Sequence, residues 1–327
     1  MSALLEVRSL KVWFETPRGT VRAVDGVDLT LERGEIVGLV GESGSGKSIT
    51  GFSLMGLIDP PGRIVEGSLS FLGEDLRAAS QGRLRSLRGD RIAMIFQDPM
   101  MTLNPVLRIG TQMIETVRAH RRCSKAEARA MARDALGKVG IPSPEERIDA
   151  YPHEFSGGMR QRVAIAIALL HEPDLIIADE PTTALDVTIQ SQILSQVQAL
   201  TAEMGMGLIW ISHDLGVVAA LAQRIAVMYA GRIVERGSVD EVLDTPRHPY
   251  TQGLIGSTPM ANERGKPLAQ IPGAAPPPLN RPEGCPFRPR CARASEACHA
   301  EPAETLAGRH GWRCFHPLEP FAARLDA

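Results

Sequence analysis

The chain has 327 residues, 43% hydrophobic and 23% charged, with a formal net charge of −2 at pH 7. These figures fit an ordinary globular protein and exclude a global electrostatic case for nucleic acid or an anionic membrane. The longest strongly apolar stretch, Val163 to Leu170, is far too short to span a bilayer, and no basic region followed by an apolar core opens the chain, so a cytosolic location is expected.

Leu4 to Phe14 and Val21 to Leu31 read as strands, and Ile36-Val37-Gly38-Leu39-Val40 as a buried one. The third strand runs into Gly41-Glu42-Ser43-Gly44-Ser45-Gly46-Lys47-Ser48, and a helix-compatible stretch from Ser48 to Leu57 follows. Strand, glycine-rich loop and helix in that order are what a phosphate-binding loop requires. The glycines let backbone N–H groups turn inward around phosphate oxygens, and the helix N-terminus adds a favourable dipole. Lys47 supplies charge for the β- and γ-phosphates and Ser48 a hydroxyl ligand for Mg²⁺. A turn that merely caps a helix is the plain alternative, and the strand before it argues against that. The substrate is expected to be a nucleoside triphosphate.

Ile64 to Phe71 alternates apolar and polar residues as a half-buried strand does, and Ile92 to Phe96 reads as another buried strand. From Gly110 to about Gly140 the pattern is helical, with a capping box at Ser124-Lys125-Ala126-Glu127. The basic stretches Arg83 to Arg88 and Arg118 to Arg122 lack interleaved aromatics and read as solvated faces. Phe155-Ser156-Gly157-Gly158-Met159-Arg160-Gln161-Arg162 leads into the apolar run Val163 to Leu170. Small residues at a helix start expose N–H donors to an anion, although an ordinary N-cap by Ser156 gives the same pattern.

Leu175-Ile176-Ile177-Ala178-Asp179-Glu180 is an apolar strand ending in two carboxylates. Asp179 is suited to hold Mg²⁺ through water and Glu180 to act as a general base near the γ-phosphate. Thr188 to Met204 reads as a helix, Gly207 to Ile211 as a strand, and Ile225 to Val234 as a hairpin turning at Ala230-Gly231. Half of the 24 prolines lie after Ser257, so the C-terminal stretch is expected to be mostly irregular. Only Cys123 lies outside that stretch, while Cys285, Cys291, Cys298 and Cys314 crowd it. In a reducing compartment such a cluster reads first as a metal site.

Together these motifs resemble the ATP-binding-cassette (ABC) ATPases over about residues 3 to 257. Ser156-Gly157-Gly158-Met159 matches the family's signature, with Met in place of the commoner Gln. Gln97, after the strand Ala93 to Phe96, matches the Q-loop glutamine; Ala184-Leu185-Asp186 the D-loop; and Ser212-His213-Asp214 carries the switch histidine. Phe14 occupies the place of the aromatic residue that stacks on adenine.

The resemblance implies an α/β P-loop cassette at 1–257, with a RecA-like core, an N-terminal antiparallel β region and a helical subdomain at about 100–165. A Cys-containing extension occupies 258–327. It implies an ATP and Mg²⁺ site built from Phe14, Gly41, Ser43, Gly44, Ser45, Gly46, Lys47, Ser48, Ile49, Gln97 and Asp179, with Ser48 and Gln97 on the metal. Glu180, His213 and Gln97 take the catalytic roles, Asp186 the D-loop role, and Ser156 to Met159 serve the ATP of a head-to-tail partner.

A narrower resemblance lies in Gln97-Asp98-Pro99-Met100-Met101-Thr102-Leu103-Asn104-Pro105, Tyr151-Pro152-His153-Glu154-Phe155 and His248-Pro249-Tyr250-Thr251, which are similar to dipeptide/oligopeptide importer ATPases. That likeness implies a heterodimer with a second ATPase subunit, two membrane permease subunits, an extracytoplasmic solute-binding protein, and a place on the cytoplasmic face of the cell membrane. Nickel and glutathione are carried by members of the same family, so the solute stays open. A soluble ABC ATPase acting on nucleic acid or ribosomes is the alternative, although no nucleic-acid partner is expected. For the cysteines the likeness implies a [4Fe–4S] cluster on Cys285, Cys291, Cys298 and Cys314. Their spacings of five, six and fifteen intervening residues lack the short chelate of structural zinc, and zinc or metal-free thiols stay as alternatives.

Overall fold

The computed structural model describes residues 3–182, 186–258, 262, 267 and 269–319. The chain opens with β1 (Leu5–Thr16), β2 (Gly19–Leu31), β3 (Ile36–Val40), α1 (Lys47–Leu54), β4 (Gly62–Phe71), β5 (Glu74–Asp75), α2 (Gln81–Leu87) and β6 (Ile92–Ile95). A helical stretch follows, with α3 (Ile109–His120), α4 (Lys125–Lys138), α5 (Pro144–Arg147) and α6 (Gly157–Leu169). Then come β7 (Leu175–Asp179), α7 (Val187–Met204), β8 (Gly207–Ser212), α8 (Leu215–Leu221), β9 (Arg224–Tyr229), β10 (Arg232–Ser238), α9 (Val239–Asp244) and α10 (Pro249–Gly256). The short strands β11 (Thr305–Ala307) and β12 (His310–Trp312) close the series.

These elements fall into two compact units. The first comprises Met1–Leu4, Leu31–Glu35 and Phe71–Trp210. In it β6 and β7 run parallel, from Ile92 opposite Leu175 to Ile95 opposite Ala178. Every residue of both strands is buried, which is why each reads as a continuous apolar run rather than an alternating one. Helix α4 buries Ala128, Ala132 and Leu136 along one stripe, the i, i+4, i+8 rhythm of a surface helix. Its capping box forms in full: the Ser124 N–H donates to Glu127 Oε2 at 2.7 Å and the Glu127 N–H to Ser124 Oγ at 3.2 Å. Helix α6 buries Gln161 together with Val163, Ala164, Ile165, Ala166, Ala168 and Leu169, so from Val163 onward it is a core helix.

The second unit comprises Leu5–Thr30, Ile36–Ser70 and Ile211–Ala327. Strand β3 is buried throughout and pairs in parallel with β9, Val37 opposite Arg224 and Val40 opposite Val227. Strands β9 and β10 form the antiparallel hairpin expected from the sequence. Its turn residues Ala230 and Gly231 both have positive φ, 45° and 82°, as a two-residue hairpin turn demands.

The C-terminal stretch is less irregular than its prolines suggest. Strand β12 pairs antiparallel with β10, Glu235 opposite Trp312 and Arg236 opposite Gly311, and β11 pairs with β12. Three-residue strands are too short to show a period of two, so only the pairing reveals them.

Glu235, fully buried on β10, holds this region together. Its carboxylate accepts the N–H groups of Arg247 and His248 at 2.6 and 2.8 Å and lies 2.8 Å from His310 Nε2. His248 caps α10 by accepting the Tyr250 N–H on Nδ1 at 3.0 Å. Burial pushes its pKa from 6.5 down to about 4, against the opposing pull of Glu235. The unfolded chain binds a proton as the pH falls through 6.5 while the buried ring stays neutral. Stability is therefore intact above pH 6.5 and is lost as the pH falls towards 4, by about 3 kcal/mol in all. His248→Asn keeps a capping acceptor and should flatten the melting temperature across that window; an unchanged acid slope would exclude His248 as its source.

Candidate functional site

In the second unit, β3 delivers the chain into the glycine-rich loop. Gly41 and Gly46 have φ of 153° and 105°, and a Cβ on either would collide with a carbonyl oxygen, that of Met228 or of Ala23. Only glycine permits this close approach. The Ser45 carbonyl accepts the N–H of Gly231 at 2.8 Å, so the β9–β10 turn braces the loop. Helix α1 starts from Gly46 without a side-chain cap, the arrangement that leaves an N-terminus to anionic oxygens.

Lys47 is buried, its ammonium donating to the carbonyls of Gly41 and Glu42 at 2.8 and 3.0 Å. Ser45 is buried, Ser43 and Gly44 are exposed, and Ser48 and Ile49 are half-buried. Phe14 lies on β1, half-buried, with its ring where a Cβ on Gly62 would fall. His213 follows β8 and is exposed, and Asp214 caps α8 by accepting the Gly216 N–H at 2.8 Å.

The first unit carries the other motif residues. Asp179 ends β7 and is buried; Glu180 follows with φ of 45°. The Gln97 side-chain amide donates to Glu180 Oε2 at 3.3 Å. A left-handed non-glycine residue at a strand end marks local strain of about 1–3 kcal/mol, a common property of functional positions. Ser156 caps α6, accepting the Met159 N–H at 3.3 Å, and Ser156 and Gly157 are exposed. A Cβ on Gly158 would come within 2.8 Å of Ile189 Cγ2, and Asp186 caps α7 by accepting the Ile189 N–H at 2.9 Å. The signature helix and the start of α7 thus meet at Ile189. Ala184 and Leu185 lie outside the described residues.

The four C-terminal cysteines gather in the second unit as free thiols. Cys285 and Cys298 are buried, and the Cys285 N–H donates to the Cys298 carbonyl at 3.0 Å. Burial pushes the Cys314 thiol up to about 11, and the nearby Cys285, Cys291 and Cys298 push it further the same way. Among the described residues, no group of three or more His, Cys, Asp or Glu side chains is arranged to hold a metal ion. Four thiolates on one zinc would stand about 3.8 Å apart, and that arrangement is not found.

Sequence reasoning gave no site role to Glu42, Tyr229, Tyr250 or Arg290. The Glu42 N–H donates to the Tyr250 hydroxyl at 2.9 Å, and its carboxylate pairs with Arg290 at 2.7 Å. Glu42 stands inside the loop motif and Arg290 beside Cys291, but nothing in their spacing joins them.

Comparison with known proteins agrees with these motifs. A family profile described as "ABC transporter" matches residues 24–183, and one described as "Oligopeptide/dipeptide transporter, C-terminal region" matches residues 234–298. The oligopeptide transport ATP-binding protein OppD of Salmonella typhimurium is 48% identical over 97% of this chain and 95% of its own. The dipeptide transport ATP-binding protein DppD of Escherichia coli is 47% identical over 97% and 98%. Among solved structures, the dimeric ATP-binding cassette MJ0796 bound to ADP and Pi superposes with a TM-score of 0.65 at 27% identity, over 72% of this chain and 98% of that one. The fold is that of an ABC cassette, and ATP hydrolysis is the reaction its motifs serve. The chain belongs to the ABC transporter family of ATP-binding proteins, in the group that carries the oligopeptide/dipeptide transporter C-terminal region.

Proposed function

We propose that the chain is the ATP-hydrolysing subunit of an importer for dipeptides and oligopeptides. The observation that carries this reading is the pairing of a complete set of cassette motifs with the oligopeptide/dipeptide transporter C-terminal region, in a chain 47–48% identical over 97% of its length to relatives named for peptide transport. A soluble ATPase acting on nucleic acid has no comparable support. Among the described residues no helix is long and apolar enough to cross a membrane; in this reading, which rests on the peptide-transport relatives, separate permease subunits form the solute path. A second ATPase subunit, an extracytoplasmic binding protein and a place on the cytoplasmic face of the cell membrane complete the assembly.

In this reading Phe14 stacks on adenine, and the loop N–H groups with Lys47 hold the β- and γ-phosphates. Ser48 and Gln97 would ligate Mg²⁺, with Asp179 acting through water, and the ion would supply positive charge against the phosphate oxygens. Glu180 takes the proton of the attacking water, oriented by Gln97, and His213 contacts the γ-phosphate. Ser156, Gly157, Gly158 and Met159 act on the partner's nucleotide, and Asp186 adjoins them through Ile189. Met159 replaces the commoner glutamine, so Met159→Gln should change turnover at the partner's site.

Cys285, Cys291, Cys298 and Cys314 would hold a [4Fe–4S] cluster, a redox-capable group that ATP hydrolysis does not need. Four cysteine thiols, Cys285 and Cys298 buried and Cys291 and Cys314 half-buried, are the all-sulfur donor set that such a cluster takes.

One oxygen-free purification with the membrane partners tests the reading. Two permeases and a second ATPase should co-purify, and turnover in vesicles should rise several-fold with peptide-loaded binding protein. Stimulation by nickel or glutathione instead of peptide would overturn the solute class. About four irons per chain, lost in Cys285→Ser, support the cluster; their absence removes it.

A further inference from the structure

The phosphate-binding loop is tied to the cysteine-bearing extension by a two-pronged ion pair. Both Glu42 carboxylate oxygens face the Arg290 guanidinium, with Nη1 donating to Oε2 at 2.7 Å and Nη2 to Oε1 at 3.0 Å. The Arg290 side chain is only 6% exposed. Its remaining donors are engaged as well: Nε donates to the Pro272 carbonyl at 2.9 Å, and Nη1 also reaches the Tyr229 hydroxyl at 3.3 Å. A buried arginine with its fork filled is a rigid fixture rather than a surface contact.

Glu42 is itself held on every side. Its N–H donates to Tyr250, its carboxylate accepts from Arg290, and its carbonyl accepts from Lys47 at 3.0 Å. Phe287, three residues before Arg290, packs its ring against Tyr229 and Tyr250 at centroid distances of 5.3 and 5.4 Å. The segment from Cys285 to Cys291 therefore covers both tyrosines and delivers the arginine. Two physical effects converge on the loop. The fork fixes the backbone of the residue whose carbonyl holds Lys47, and it neutralises a carboxylate placed within the loop that receives a triphosphate. An unpaired carboxylate there would repel the nucleotide.

We propose that Arg290 is a positioning residue of the nucleotide site: by clamping and neutralising Glu42, the C-terminal extension sets the affinity of the P-loop for ATP. The proposal concerns ATP binding by this chain and is independent of which solute is carried.

The test uses the full chain and a fluorescent ATP analogue with Mg²⁺ at fixed ionic strength. Arg290→Ala should bind about tenfold more weakly, raising KM with kcat within about twofold. Adding Glu42→Gln to Arg290→Ala should recover most of the lost affinity, because the neutral amide no longer needs a counter-charge. Wild-type affinity in a folded Arg290→Ala overturns the proposal, as does a double variant as weak as the single one. If Arg290→Ala does not fold, Arg290→Lys keeps the charge and loses the fork. Intermediate affinity in that variant supports the clamp, and wild-type affinity overturns it.

Discussion

Glu180→Gln should lower ATP turnover by about 10²–10⁴-fold, the range that a positioned general base contributes, while MgATP binding persists. The substitution keeps the shape of the side chain and removes only its capacity to take a proton. Glu180 follows β7, whose five residues are all buried, so the strand end is a firm platform for it. Its left-handed backbone, with φ of 45°, aims the side chain in a direction that ordinary extended backbone would not. The Gln97 amide at 3.3 Å supplies a second constraint. Phosphate release measured beside equilibrium nucleotide binding separates the two effects. Undiminished turnover would remove Glu180 as the base, and lost binding would move its role to holding nucleotide or metal.

Lys47→Ala should weaken MgATP binding by about 10²–10⁴-fold, equivalent to two charge-assisted contacts of about 1.5–3 kcal/mol each. The ammonium is the cation on the loop itself, held by the Gly41 and Glu42 carbonyls at 2.8 and 3.0 Å. Those carbonyls point it across the loop, so its placement is set before any phosphate arrives. Alanine is a strong helix former, so α1 should persist and the melting temperature should move by only a few degrees. Binding within threefold of wild type in a folded Lys47→Ala chain would show that the backbone N–H groups suffice. The Arg290 and Lys47 variants act on opposite faces of one residue, Glu42, so their effects should not add.

Much of the fold and site was legible because its determinants are local. Strand, loop and helix around Lys47 are consecutive, so the motif is readable although the carbonyls that exclude a Cβ at Gly41 and Gly46 belong to the distant Met228 and Ala23. The capping box at Ser124 and the turn at Ala230-Gly231 are likewise written in two to four adjacent residues. What escaped is what depends on distant partners. Strands β11 and β12 have no periodicity of their own and exist by pairing with β10. The buried Glu235, which gathers Arg247, His248 and His310, looks from sequence like one more acid in a charged hairpin. Arg290 looks like a basic residue among prolines until its partner is found 248 positions earlier. The cysteine spacing argued against the short chelate of structural zinc, but it did not show whether the four thiols hold a metal at all.

The Glu42–Arg290 pair also imposes an order on synthesis. At about 5–20 residues per second, the 248 residues that separate them take about 12–50 s to translate. Until Arg290 is made the Glu42 carboxylate lacks that counter-charge, and until Met228 to Gly231 are made the loop also lacks the carbonyl and the turn that pack against it. A chain cut short by a premature stop codon anywhere in that interval keeps the loop and lacks the arginine. On the proposed clamp, completion of the reading frame supplies the Glu42 counter-charge, and truncated chains should bind ATP more weakly than the whole protein.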